Sequence, residues 1–233
     1  MKSIIRKTRV AHVCGTLLVA SALPAWAQGP STGYYATVGS SAFYVNGGVG
    51  PSLAEDTEVQ EFFGPVSGSE VKYDTGVRFS VGGGYQINEW LGAGFETGLI
   101  WNSAKSVTGS PDADFTVGHV PFLANVVFQC PRTAPVIPFI GLGAGFAGST
   151  IDIESFTLGG TTVTGTETDV VYALQAFAGM RYEFTEQLSA GVTYKYFRAG
   201  EPEWEESDFS LSGQIKFGRT ETHSLLVTFN YRF

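Results

Sequence analysis

The sequence predicts an all-β protein: an eight-stranded antiparallel up-and-down transmembrane β-barrel, with short turns at one end and four long loops at the other. Three observations predict it. The last eleven residues, His223 to Phe233, alternate apolar and polar side chains up to a carboxyl-terminal aromatic. Seven earlier segments read with the same period of two. The connections between successive segments are short and long in strict alternation.

The amino terminus sets the compartment. Lys2, Arg6, Lys7 and Arg9 make a basic start, Val13 to Leu23 form a mostly apolar core, and Ala25-Trp26-Ala27 is a small-x-small cleavage site, as in a secretory signal. Residues 1–27 are therefore expected to be a cleaved signal peptide, and 28–233 the barrel domain. After Ala27 no window approaches the roughly 20 consecutive apolar residues that a membrane-spanning helix needs, because Gly, Thr, Asn or Gln interrupts every candidate. An exported β protein remains, either a soluble sandwich or an outer-membrane barrel.

Composition favours the barrel. The chain holds 30 Gly, 18 Phe and 10 Tyr with only 15% charged residues, where soluble domains carry about 25%. The signal segment contains four of the 14 basic residues and none of the 22 acidic ones, which leaves ten against 22 and a net charge of −12. That charge argues against nucleic acid as a partner, since neutralising phosphates takes clustered Lys and Arg. Cys14 leaves with the signal segment, so Cys130 stays as a lone thiol without an internal disulfide framework.

The candidate strands are 34–46, 72–87, 91–102, 115–129, 136–148, 169–184, 188–199 and 222–233. Around the second, Val71, Tyr73, Val77, Phe79, Val81, Tyr85 and Ile87 share one face, and Lys72, Asp74, Arg78, Ser80, Gly82, Gly84 and Gln86 share the other. The first set faces lipid and the second the lumen. The third continues with Leu91, Ala93, Phe95, Thr97, Leu99 and Trp101 outward, and Gly92, Gly94, Glu96, Gly98 and Asn102 inward. Such an inward face cannot pack a sandwich core. The last strand turns Leu225, Val227, Phe229, Tyr231 and Phe233 outward, against Leu226, Thr228, Asn230 and Arg232.

Asn88-Glu89-Trp90, Cys130 to Pro135 and Thr185-Glu186-Gln187 are the short connections, read as periplasmic turns. Connections near 47–71, 103–114, 149–168 and 200–221 are long, rich in Gly, Ser and Thr, and hold sixteen of the 22 acids, as extracellular loops would. An internal echo supports this division. Tyr85-Gln-Ile-Asn-Glu-Trp-Leu-Gly-Ala-Gly94 matches Tyr182-Glu-Phe-Thr-Glu-Gln-Leu-Ser-Ala-Gly191 at both outer short turns, which describes a hairpin rather than a reactive site.

Three stretches carry a family resemblance: Pro138-Phe-Ile-Gly-Leu-Gly-Ala-Gly-Phe146; Gly179-Met-Arg-Tyr-Glu-Phe184 with Leu188-Ser-Ala-Gly-Val-Thr-Tyr-Lys-Tyr-Phe197; and the ending Asn230-Tyr-Arg-Phe233. They resemble the small eight-stranded outer-membrane barrels, the opacity-type and OmpA-transmembrane-like proteins often labelled porin family proteins, with bacterial surface antigens among their relatives. The resemblance implies an outer-membrane barrel with an assembly signal at Phe229, Tyr231 and Phe233. It implies no catalytic residue and no cofactor. The chain ends at its last strand, so a periplasmic peptidoglycan-binding domain is not expected.

An eight-stranded barrel has an interior that side chains fill. Inward parity puts Arg78, Gln86, Glu96, Asn125, Gln129, Gln175, Arg181, Glu183, Lys195 and Arg232 in the lumen. There they form either a plug of polar contacts or, through mobile pairs, a narrow path for ions or small solutes. The pairs stay unassigned, since Arg78 and Glu96 fall several rungs apart. Gly82, Gly92, Gly94, Gly141, Gly143 and Gly145 leave room for water.

A lipid-modifying enzyme would need a nucleophile and a base at the outer rim. His223 and Ser224 are adjacent in a strand and point to opposite faces, so they cannot pair. Ser210 or Ser212 would have to approach His223, with Glu221 orienting it. His119 is read as an inward residue with a structural hydrogen-bonding role. His119, His223 and Cys130 show no metal-ligand spacing, and the acidic clusters at Glu55-Asp56-x-Glu58-x-x-Glu61 and Glu201 to Asp208 have no EF-hand pattern.

Trp90, Trp101, Trp204, Tyr34, Tyr35, Tyr73, Tyr182, Tyr194 and Tyr231 lie near strand ends, as interfacial girdles do. Phe62, Phe63 and Trp204 sit on acidic loops, either folded back onto the rim or exposed as loop interaction residues. The expected role is therefore structural or surface-interacting, adhesin- or antigen-like, through acidic loops. The alternatives are a narrow passive channel and, more remotely, a lipid-modifying enzyme. Expected partners are outer-membrane lipid and lipopolysaccharide, the barrel-assembly machinery, and a host or surface ligand.

Overall fold

The computed structural model describes residues 42–63, 68–110, 112–131, 135–158, 160–204 and 214–233. The expected signal segment, Tyr34, Tyr35, Ser210 and Ser212 lie outside the described residues. Among the described residues twelve strands follow in order: β1 (Ala42–Ala54), β2 (Thr57–Phe62), β3 (Glu70–Tyr73), β4 (Gly76–Gln86), β5 (Leu91–Val107) and β6 (Asp112–Gln129), then β7 (Val136–Leu158), β8 (Thr161–Glu183), β9 (Leu188–Ala199), β10 (Glu203–Trp204), β11 (Ile215–Phe217) and β12 (Thr220–Arg232).

Eight of them close a ring in the order β4-β1-β12-β9-β8-β7-β6-β5, with β5 returning to β4 and every pairing antiparallel. Following ladder partners one way round from Val81 leads through Thr97, Phe122 and Phe146 to Tyr172. The other way leads through Gly47, Phe229 and Ala190 to Tyr182, ten positions from Tyr172 along β8. That stagger tilts the strands and closes the barrel.

The period-two reading holds along the membrane wall. Phe79, Phe95, Ile140, Phe229 and Phe233 are among the outward residues left more than half exposed, while their neighbours in sequence point inward. Such a belt would be unstable in water and is stable against lipid. Trp90, Trp101, Tyr182, Tyr194 and Tyr231 are exposed on the outer wall, whereas Trp204 and Tyr73 are not part of the girdles.

The echoed hairpins share a physical cause. Asn88 Oδ1 accepts from the backbone of Trp90 and Leu91 at 3.0 and 2.8 Å, and Thr185 Oγ1 accepts from Gln187 and Leu188 at 3.2 and 2.9 Å. Asn88 and Thr185 occupy the same place in the repeat, and each side chain ties the turn as Asx and Ser/Thr turns do.

Beyond the belt the structure departs from the expected loops. The first strand is β1, ending at Ala54 rather than at 46, because pairing with β4 and β12 continues past Gly47-Gly-Val-Gly-Pro51. Its ladder with β12 skips Gly50 and Pro51, while the ladder with β4 continues, an accommodation to proline's missing N–H. β7 and β8 are 23 residues each, about twice the length needed to cross a bilayer. Cross-strand Thr150–Thr168 and Thr157–Thr162 hydroxyl bonds, each 2.8 Å, tie their outer halves.

These extended strands combine with β2, β3, β10 and β11 into an extension at the end opposite the short turns. β3 joins β5, β2 joins β3 and β11, and β10 joins β11. The extension encloses its own apolar core, which includes Val59, Val71, Phe115, Ile151, Phe156, Val163, Trp204 and Phe217. The regions near 47–71, 103–114, 149–168 and 200–221 are thus largely strand. Val71 and Tyr73, expected to face lipid, point into this core because a register shift at Lys72/Tyr73 and a break before β4 change the parity. Burial pushes the Tyr73 phenol above its usual pKa.

Phe62 and Trp204 are likewise buried in the extension core, with Phe63 packed against it. As exposed interaction anchors they are corrected. Acidic neighbours mark the solvent face of these short strands, and the aromatics take the opposite face. Trp204 Nε1 donates to the Ser149 carbonyl at 2.9 Å, so the indole links β10 to β7.

Candidate functional site

Five of the predicted lumen residues, on five different strands, meet in one network. Glu96 Oε1 accepts from Arg78 Nη2 at 3.2 Å and from Lys195 Nζ at 2.5 Å. Its other oxygen accepts from Gln175 Nε2 at 3.2 Å and Asn125 Nδ2 at 3.5 Å. Gln175 in turn accepts from Arg78 at 2.7 Å and donates to Asn125 at 3.0 Å. All five are buried, so the charges survive only because each is paired and hydrogen-bonded.

The Arg78–Glu96 pair was not assignable from rung counting, since Arg78 stands opposite Ile100 and Glu96 opposite Gly82. The four-residue offset is roughly 13 Å along the ladder. The intervening inward pair is Ser80 and Gly98, small enough for the arginine to lie along the wall. Its guanidinium is also 5.6 Å from the Phe197 ring.

Below this network, toward the short turns, Arg181 donates to Gln129, and Gln129 donates to the Glu89 carbonyl at 3.0 Å. Arg232 pairs with Glu183 at 3.3 Å. Gln86 stays apart and bonds the turn at the Asn88 carbonyl, 2.7 Å away. Phe229, Tyr231 and Phe233 lie outward, and the Phe233 N–H bonds the Phe43 carbonyl at 3.0 Å, seating the end of the chain against β1.

The inward glycines were expected to leave water-filled space. Aromatic rings fill much of it instead. A Cβ on Gly84 would meet the Tyr44 hydroxyl at 2.4 Å, and one on Gly141 would meet the Phe177 ring at 2.2 Å. Tyr44, Phe139 and Phe177 therefore join the lumen wall, none of them anticipated from the sequence. The glycine runs on neighbouring strands were their signal. A cavity remains between these rings and Gln129, Arg181, Lys195 and Arg232, with about 100 Å³ of room for solvent.

Above the network the lumen fills. Ile100, Leu123, Ala147, Ala173 and Phe197 form an apolar cluster. Buried polar residues Ser52, Asn102, Ser149, Thr222 and Ser224 follow, and then the extension core closes the end. Asn102 Nδ2 donates to the Ser52 and Asp74 carbonyls at 3.0 and 3.3 Å. His119 is buried beside Phe197, and neither ring nitrogen has a hydrogen-bond partner among the described residues. The structural hydrogen bond expected of it is not formed there.

His223 lies on the outer wall near the rim. Its Nδ1 is 2.6 Å from the Tyr194 hydroxyl and its Nε2 is 2.8 Å from Glu55 Oε1. Glu55 rather than Glu221 orients it, while Glu221 accepts from the Tyr196 hydroxyl. The imidazole thus joins a phenol to a carboxylate, and among the described residues no serine hydroxyl is bonded to it. Among those residues no group of three or more His, Cys, Asp or Glu could hold a metal ion. Cys130 is exposed at its turn.

On the extension, Glu55, Asp56, Glu58, Asp152, Glu154 and Glu201 face solvent against Lys72, Lys105 and Arg219. Lys216 bonds Glu203, and the carboxylate holds the ammonium above the usual lysine range.

Several solved structures are similar to this chain, among them three outer-membrane proteins. OprG, an outer membrane protein from Pseudomonas aeruginosa, aligns at 14% identity with a TM-score of 0.59, covering 82% of this chain and 95% of that one. Neisserial surface protein A aligns at 16% identity and 0.51, covering 84% and 100%. The outer membrane protein AlkL, solved in lipid bilayers, aligns at 12% identity and 0.51, covering 88% and 96%. At such identities the likeness is one of fold. No curated protein matches the chain in sequence. A closed ring of eight strands, an apolar outer belt and a polar lumen accord with the match of residues 15–233 to the outer membrane protein beta-barrel domain, and the chain belongs to that family.

Proposed function

We infer that the protein is a structural and surface-interaction component of the outer membrane, presenting a rigid acidic extension on a barrel whose outer end is filled. One observation carries this reading: the apolar core of the extension, from Val59 to Phe217, lies across the outer end of the lumen. A solute path would have to cross that core and the apolar layer beneath it. The same core holds β2, β3, β10 and β11 as a fixed display for the acids on their outer face, so a partner meets a preformed surface and less ordering entropy is lost on binding. The negative field favours a cationic partner and makes the contact salt-dependent.

The test uses protein embedded in lipid nanodiscs and a lysine-rich peptide as probe, with the wild type also reconstituted in planar bilayers. Expected are binding that weakens with salt, at least tenfold loss of affinity when Glu55, Glu58, Glu201 and Glu203 are changed to Gln, and no stepwise conductance. Stepwise conductance by the wild type would overturn the reading in favour of a passive channel. Peptide binding indifferent to those four substitutions would remove the acidic face from it.

A further inference from the structure

The lower half of the lumen is unlike the upper half. It keeps a cavity open toward the short-turn end, bounded by half-buried Arg181 and Arg232 at the mouth and buried Lys195 at its floor. Among its lining residues these three cations face a single carboxylate, Glu96, whose Oε1 is already shared by Lys195 and Arg78. Arg232 has Glu183 beside it. Counting Arg78 and Glu183 as well, four cations meet two carboxylates among the described lumen residues, in a chain whose net charge is −8. Positive charge is concentrated inside while the outer face is acidic.

The walls supply a second feature. Tyr44, Phe139 and Phe177 line the cavity as rings on glycine seats. The Arg181 guanidinium is 5.7 Å from the Phe139 ring, and the Lys195 ammonium is 5.7 Å from that of Phe177. Cations held against aromatic faces keep a defined position in a partly dry site. Flat apolar walls with converging cationic donors and amide groups form the usual composition of a small-molecule pocket. The room for solvent, about 100 Å³, is well above the roughly 10–15 Å³ of accessible space that one water needs.

We propose that this cavity is a binding site for small organic anions with a planar apolar body, the aromatic carboxylates, entering from the periplasmic end. The ring of the acid lies against Tyr44, Phe139 and Phe177. Its carboxylate meets Arg181 and Lys195, and Arg181 offers the planar donor geometry that suits a carboxylate. The apolar layers above prevent onward passage, so the site binds and does not conduct. It is separate from the acidic extension, and its existence does not depend on that surface having a partner.

The test titrates the protein, folded in detergent micelles, with benzoate, benzylamine and benzyl alcohol, reading heat or saturation-transfer signals. Benzoate is expected to bind at least tenfold more tightly than either of the others. R181Q is expected to lower benzoate affinity at least threefold, leave benzyl alcohol unchanged and retain the heat-dependent mobility of a folded barrel. Equal binding of the three compounds by the wild type would mean partitioning into micelle and barrel wall, and would overturn the proposal even if R181Q failed to assemble. Benzoate affinity unchanged in a folded R181Q would overturn it too. Neither result bears on peptide binding by the extension.

Discussion

Glu96 is the residue on which the lumen turns, because one carboxylate neutralises two buried cations and accepts from two amides. Removing its charge leaves Arg78 and Lys195 facing each other without a counter-ion. Breaking a buried pair in this way costs about 3–5 kcal/mol. Glu96→Gln is expected to lower the urea midpoint of the folded barrel accordingly, as read by the mobility shift between folded and unfolded protein. A second substitution, Lys195→Met, is expected to restore part of the loss, because it removes one of the two stranded charges. An unchanged midpoint in the single variant would show that the network carries no stability. The inward parity of all these residues was legible in the sequence, since alternate residues take opposite faces. Their pairing was not, because Arg78 reaches past two small neighbours and rung counting ignores side-chain length.

At the scale of elements, the extension is held by its core rather than by the membrane. Trp204 is buried among Phe217, Ile215 and neighbours from β7 and bonds across to Ser149. Trp204→Ala is expected to cost about 3–5 kcal/mol locally. In limited proteolysis the variant should be cut in the extension while the membrane ring keeps its heat-dependent mobility. If cleavage matches the wild type, the extension does not depend on this anchor. The sequence did hold a signal for these strands: Ser149-Thr-Ile-Asp-Ile-Glu154 and Thr161 to Thr168 alternate in period two. Richness in Gly, Ser, Thr and acid masked it, since the same residues that make loops also coat the solvent face of a strand.

For the whole molecule, closure depends on β12 pairing with both β1 and β9. Phe233 follows that strand on the outer belt, packed edge-on against Tyr231, its N–H bonded to the Phe43 carbonyl. Deleting Phe233 is expected to reduce the fraction of outer-membrane protein that shows the heat-dependent band at least severalfold. Assembly at the wild-type level would show that the terminal aromatic is dispensable. The deletion also tests closure itself, because a ring that misses its last strand exposes two edges.

The sequence by itself determined the class of fold, the number of strands in the ring, the lipid face of β4, β5 and β12 along the membrane wall, and the inward side of the five polar residues that meet at Glu96. Those follow from a period of two and from turn chemistry, both of which are local. Only the tertiary structure decided that the outer connections are strands with their own core, that Phe62 and Trp204 are buried, that glycines seat aromatic rings, and that Glu96 joins Arg78 to Lys195. Each depends on which residues of distant strands come to the same height, and that height is fixed by the stagger of the closed barrel, which no single segment encodes.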